Sequence, residues 1–303
     1  MEEHYAGHDG TAAAQSTQPP TWTAQAFPAN ASAYVLGPLI GANGAEGSRV
    51  YEAECLQPPV TAVTAAVAIK RVDLERHRSL GRIQSEVHTM GELAHPNLAQ
   101  LHAAFLRGGE LWIVLQLHAC GSCADLLANA RPAGFEEDIS LHIVREAAKG
   151  LAYLHDHATL HRNLRASNLL VGGDGCVRVA DLGLSGRLHD GGERRSRAGT
   201  FVGSPGWMAP EVLEQANGYG RAADVWSLGI TAIELATGMA PYAKLPPLKV
   251  LLQVLQAPPP QLPTSASAPF RLLVDSCLCF TPEERPSAGS LHDHPAFSTF
   301  GAR

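Results

Sequence analysis

Five short motifs, each centred on polar residues in apolar surroundings, follow one another along residues 67–229 and demand a fold that brings distant segments together. Val67-Ala68-Ile69-Lys70 is a β-type apolar run that ends on a lysine. Leu160-His161-Arg162-Asn163-Leu164-Arg165-Ala166-Ser167-Asn168 packs a histidine, two arginines and two side-chain amides into nine residues. Asp181-Leu182-Gly183 begins 13 residues after Asn168, Ala209-Pro210-Glu211 comes next, and Asp224-Val225-Trp226-Ser227-Leu228-Gly229 opens a long apolar helix. Each is a common string by itself; the shared order removes chance as an explanation. Glu86 lies sixteen residues after Lys70. Ile83, Val87 and Met90 around it share one helical face at i, i+4 and i+7, so Glu86 points to another face, from which it can reach Lys70.

In this order the motifs resemble those of protein kinases, namely V-A-I-K, H-R-D-L-x-x-x-N, D-F-G and A-P-E. Thr200-Phe201-Val202-Gly203-Ser204-Pro205-Gly206-Trp207-Met208-Ala209-Pro210-Glu211-Val212 narrows the resemblance to the Sterile-20-like serine/threonine kinases of the germinal-centre group. Gly229-Ile230-Thr231-Ala232-Ile233-Glu234-Leu235-Ala236-Thr237-Gly238 and Pro246-Pro247-Leu248-Lys249-Val250-Leu251 are similar to the branch of the oxidative-stress-responsive kinases and their plant relatives. Leu164-Arg165-Ala166 looks more like a tyrosine kinase, which leaves the substrate class open. The resemblance implies an α+β, two-lobed fold over residues 34–300. A small β-rich N-lobe would span 34–115, a hinge 116–118 and a larger α-helical C-lobe 119–300.

The resemblance also implies roles. Lys70 would pair the α- and β-phosphates of ATP and be held by Glu86, while Asn168 and Asp181 would hold Mg²⁺. Arg165 stands where family members place a lysine that steadies the transferring phosphate. ATP contacts are expected from Ile40, Gly41, Gly44, Gly47, Val50, Ala68, Leu115, Gln116, His118 and Leu170, with Leu115 as gatekeeper and the backbone of Gln116 and His118 on adenine. Met90, Leu101, Leu182, His161 and Asp224 would form a column linking the lobes. Asp224 would accept backbone N–H bonds from the catalytic loop, and Arg285 would pair with Glu211. Thr200 and Ser196 are expected phosphorylation sites, with Arg162 as the partner of phospho-Thr200. Protein substrates or partner kinases are implied, as is a helical-repeat scaffold of the mouse-protein-25 type.

Two departures weaken the chemistry. Asn163 occupies the position of the catalytic aspartate, and an amide cannot accept a proton near neutral pH. In the phosphate loop the glycines Gly41, Gly44 and Gly47 are spaced three and three rather than two and three, and Glu46 adds a negative charge. Two readings follow. The chain is either a pseudokinase-like protein that binds ATP and acts in signalling through contacts, or an active serine/threonine kinase with slowed chemistry.

Composition bounds the rest. A chain of 303 residues suits one such domain. Net charge of −6 argues against a nucleic-acid surface. No apolar run reaches the ~18 residues of a membrane span, so no membrane is expected. Of the six cysteines, Cys120/Cys123 and Cys277/Cys279 are close in sequence but lack the histidine spacing of a zinc site. Residues 1–33, rich in Ala, Gln, Thr and Pro, read as a disordered tail, and the first basic residue is Arg49, which argues against a transit peptide. With no signal peptide either, a reducing, cytoplasmic location is expected. The chain ends shortly after Phe297, so the C-terminal docking domain of animal relatives is not expected.

Overall fold

The structure is a computed structural model that describes residues 27–43, 47–60, 62–76, 80–182, 186–187, 205–214 and 220–298. The expected α+β fold of two lobes is present. Its N-lobe is a five-stranded antiparallel sheet of β1 (Tyr34–Asn43), β2 (Ser48–Cys55), β3 (Ala66–Asp73), β4 (Leu101–Arg107) and β5 (Glu110–Gln116), in the order β1-β2-β3-β5-β4. Helix α1 (Leu80–Glu92) is inserted between β3 and β4.

Strand alternation decides what faces the cleft. Val67 and Ile69 of β3 join Trp112 and Val114 of β5 in a core on the outer face. Ala68, Lys70 and Val72 therefore point the other way, and Val72 packs with Ile113 and with Ile83 of α1. Arg71 of β3 ties its two neighbouring strands, β2 and β5, together. Its guanidinium lies 5.4 Å from the Tyr51 ring centroid and 5.3 Å from that of Trp112. It also donates to both Glu110 carboxylate oxygens, at 2.9 and 2.7 Å.

The sequence assigns residues 27–33 to a disordered tail, but they pack on this sheet. Phe27 stacks on His102 with centroids 4.2 Å apart, and the Tyr34 hydroxyl donates to the Pro28 carbonyl at 2.6 Å. Ala33 is buried, and its carbonyl accepts from the Leu56 N–H. A single aromatic with a sheet face to cover outweighs the polar composition around it. Residues 1–26 lie outside the described residues.

The C-lobe contains α2 (Cys123–Asn129), α3 (Glu137–Asp156), α4 (Pro210–Glu214), α5 (Arg221–Thr237), α6 (Pro247–Gln256), α7 (Ala268–Cys277) and α8 (Ala288–Leu291). Helix α2 starts at a capping box, in which Ser122 Oγ accepts from the Asp125 N–H and the Asp125 carboxylate accepts from the Ser122 N–H. Helix α5 is the core of the lobe. Ala223 through Ala232 are all buried, because α3 covers one side and α7 another. Gly229 permits the α7 contact, since a Cβ there would lie 2.8 Å from Cys277 Cβ. The helix ends at Gly238, whose φ of 77° is the left-handed conformation of a C-terminal glycine.

Two short ribbons frame the segment between the lobes. β6 (Thr159–Leu160) pairs with β9 (Gly186–Arg187), and β7 (Leu169–Val171) pairs with β8 (Val177–Val179). Among the described residues no helix is long and apolar enough to cross a membrane, and no cluster of three or more His, Cys, Asp or Glu suits a metal ion. All six cysteines are free thiols.

The Gly229 contact is testable. Gly229→Val forces a branched side chain against Cys277 and Leu278, which lie within 3 Å of the new Cβ. Overpacking of this kind costs about 1–3 kcal/mol, so the melting temperature should fall by several degrees. An unchanged melting temperature would show that α5 and α7 are free to move apart.

Candidate active site

The loop between β6 and β7 carries residues 161–168 and is anchored from below by Asp224, which is fully buried in the first turn of α5. Asp224 Oδ1 accepts from the Arg162 N–H at 2.8 Å, and Oδ2 accepts from the His161 N–H and His155 Nε2, each at 2.9 Å. Burial by itself would raise the Asp224 pKa. The His155 bond, the electrostatic attraction of His155 and the Arg162 N–H outweigh it and hold the carboxyl below its ordinary value. His161 is also fully buried. Its Nε2 donates to the Ala180 carbonyl at 3.0 Å, which leaves Nδ1 to accept from the Asn163 N–H at 3.2 Å.

The backbone is strained where these segments meet. Arg162 and Asp181 both adopt φ of 65°, a left-handed conformation that a non-glycine residue reaches only at a cost of about 1–3 kcal/mol. The Asp224 bond to the Arg162 N–H helps hold the first of them.

Asn163 sits between the two expected metal ligands. Its Nδ2 donates to Asp181 Oδ2 at 3.2 Å, and its carbonyl accepts from Asn168 Nδ2 at 2.7 Å. The Asn168 carbonyl accepts from the Ala180 N–H at 2.8 Å, which fixes the segment just before Asp181. Across the cleft, Lys70 Nζ is 2.7 Å from Glu86 Oε1, and Glu86 is buried. Leu101 and Leu115 pack both on the core beneath the sheet and on the core of the C-lobe. Met90 and Leu182 are buried in that second core.

Of the remaining expected nucleotide contacts, Ala68 is buried, Val50 and Leu170 are half-buried, and Ile40 is exposed. Gly41 pairs with Val50 across the β1–β2 hairpin, and the register shifts between Leu39 and Gly41. Gly47 has φ of 65°. Gly44, Ser196 and Thr200 lie outside the described residues. Gln116 ends β5. Farther down, Arg285 grips Glu211 with two bonds of 2.7 and 2.9 Å and donates to the carbonyls of Ala222, Cys279 and Phe280.

Sequence reasoning missed two residues and the burial of a third. His155 is the first, 69 residues from its partner Asp224. The second is Glu234, ten residues after Asp224 on α5, whose Oε2 accepts from the Ala166 N–H at 3.0 Å and from the Trp207 indole at 3.1 Å. Burial raises its pKa despite these bonds and the charge of Arg165. The available signal was a second carboxylate, after Asp224, inside an otherwise largely apolar helix. Arg165, expected to face a phosphate, has its guanidinium 5.9 Å from the Trp207 ring centroid on the Glu234 side of the loop. His118 is the third surprise. Its backbone was expected to matter, yet its ring is buried, and neither ring nitrogen has a hydrogen-bond partner among the described residues.

Residues 53–297 match the family described as "Protein kinase domain". The chain belongs to the protein kinase family. Its relatives are Sterile-20-like and germinal-centre kinases. It is 40% identical over 277 residues to serine/threonine-protein kinase fray2 of Dictyostelium discoideum, a match covering 89% of this chain and 26% of that protein. To germinal center kinase 3 of Caenorhabditis elegans it is 39% identical over 296 residues, covering 90% of this chain and 48% of the relative. To serine/threonine-protein kinase sid1 of Schizosaccharomyces pombe it is 37% identical over 277 residues, covering 91% and 56%. The chain thus spans from about a quarter to just over half the length of these relatives.

Protein kinases generally use ATP and Mg²⁺. Asn168 and Asp181 would offer an amide and a carboxylate oxygen, the chemistry that suits Mg²⁺, and the two flank Asn163, so the residues present fit the cation.

His118 gives the fold a pH signature. Burial, then the Arg178 charge, lower its pKa from 6.5 to about 4, against the opposing charge of Asp174. The unfolded chain then binds the proton more tightly. Stability is fully present above about pH 6.5 and is lost as pH falls towards 4, by about 2 kcal/mol at pH 5. The His118→Leu variant should lose correspondingly less stability than the natural protein between pH 7.5 and pH 5 in denaturant titrations. Equal losses would mean that His118 is not held neutral.

Proposed function

We propose that this chain is a Sterile-20-like serine/threonine kinase homologue that binds Mg²⁺ and ATP between its lobes, transfers phosphate to protein hydroxyls slowly if at all, and acts in cytoplasmic signalling through protein contacts. One observation carries the reading. The side chain at the base position is the Asn163 amide, and it donates to Asp181 instead of offering a proton acceptor. Losing a general base costs typically ~10²–10⁴-fold in rate. Phosphoryl transfer depends mostly on positioning and charge stabilisation, so the loss slows the reaction without forbidding it.

The residues divide the work as follows. Lys70, held by Glu86, would orient the α- and β-phosphates. Asp181 and Asn168 would hold Mg²⁺, which neutralises charge on the phosphates when bound. Ala68, Val50 and Leu170 would close on adenine, and the Gln116 and His118 backbone would bond its edge. Phosphorylation of Thr200, answered by Arg162, is the regulatory element of the same reading. The six free thiols are consistent with a reducing compartment.

A second reading, an active serine/threonine kinase, is favoured by the assembled Lys70–Glu86 pair and by relatives named as kinases. The two readings part at Asn163→Asp. Under the first, the natural protein phosphorylates generic peptides far below the ~1–100 s⁻¹ of ordinary kinases, and the substitution raises the rate by at least tenfold. A natural protein already in that range rejects the first reading. Under both, millimolar ATP with Mg²⁺ should raise the melting temperature by mass action, and Asp181→Ala should remove the Mg²⁺-dependent part of the shift. A well-folded sample that shows no shift would count against nucleotide binding altogether.

A further inference from the structure

Asn163 has a second consequence, beyond the missing base, because of where its amide points. Nδ2 donates to Asp181 Oδ2 at 3.2 Å while the Asn163 carbonyl holds the Asn168 amide at 2.7 Å. Only this amide orientation is attractive, since turning it over would set an amide oxygen against a carboxylate oxygen. An aspartate in the same place would set two carboxylates about that far apart, and they would repel unless a cation lay close by. Asp181 moreover sits at a strained φ of 65°, so the direction of its carboxylate depends on the partners that hold it.

We propose that Asn163 is a positioning residue that sets the divalent-cation requirement of this site. Its amide holds the Asp181 carboxylate in place when no cation is there, and an incoming Mg²⁺ or Mn²⁺ has to compete with it. The replacement of a carboxylate by an amide also removes one negative charge from the cation's surroundings. Both effects act in one direction, towards weaker cation binding. The inference rests on the reading of Asp181 as a metal ligand, but it concerns the side chain that holds Asp181 and not the rate of phosphoryl transfer.

The test measures Mn²⁺ binding to the nucleotide-free protein by electron paramagnetic resonance of the free ion. The natural protein is compared with Asn163→Ala, Asn163→Asp and Asp181→Asn, with Asn163→Ser as a second way to remove the amide. Releasing the carboxylate in Asn163→Ala should lower the half-saturating Mn²⁺ concentration about three- to tenfold, the scale of one ordinary net hydrogen bond. Asn163→Asp, which also restores a charge, should lower it further, and Asp181→Asn should abolish the tight site. Unchanged or weaker binding in both Asn163→Ala and Asn163→Ser would overturn the proposal, even if Asn163→Asp bound more tightly, because charge alone would then account for the effect. So would an absence of Mn²⁺ binding in every form, or binding indifferent to Asp181→Asn. A parallel titration with a non-hydrolysable ATP analogue separates the two claims. If no form binds the analogue, the nucleotide reading fails while the Mn²⁺ comparison still decides the role of Asn163.

Discussion

A carboxylate with no exposure to water is costly unless every lone pair has a donor, and Asp224 is such a group. It meets that demand with the N–H groups of His161 and Arg162 and with the His155 ring, which come from the catalytic loop and the end of α3. Removing the loop from this position would leave a bare charge inside the C-lobe. The loop is therefore placed by the α5 core and not by its own short flanking strands. His161 carries the constraint upwards through its bond to the Ala180 carbonyl, one residue before Asp181. Hydrogen bonds thus run from α5 through His161 to the residue before the expected metal ligand.

The same helix holds the far end of the loop. Glu234 lies ten residues beyond Asp224, about 15 Å along α5, and bonds the Ala166 N–H. Two acids on one helix, the buried Asp224 and the half-buried Glu234, thus hold the start and the later part of an eight-residue loop, residues 161–168. Glu234 also takes the Trp207 indole, so the segment that precedes α4 is tied to the loop through one carboxylate. Arg165 lies beside this pair, which gives its charge a structural partner.

Within this scaffold Asn163 is a local change with limited structural effect. The loop bonds on either side of it run through backbone atoms and through His161 and Asn168, none of which needs an acid at position 163. The fold can therefore keep its lobes, its Lys70–Glu86 pair and its C-lobe core while one side chain changes. Architecture and reactivity separate here because the first depends on buried contacts and the second on one half-exposed group.

The amino-acid order alone was enough to identify the two-lobed α+β fold, the partners Lys70 and Glu86, the pair Glu211 and Arg285 and the loss of a carboxylate at position 163. Those features sit in compact motifs, where residue type and spacing state what the local chemistry requires. His155, Glu234 and the buried His118 ring have no such local mark. Their roles come from contacts made across 69 and 68 residues of chain, or from the cover supplied by neighbouring elements, and a sequence window cannot contain them. Residues 27–33 belong to the same class, since polar composition suggests a tail until Phe27 finds His102. The direction of the Asn163 amide was also decided only in three dimensions. A residue type fixes which donors and acceptors exist, whereas packing determines which of them meet.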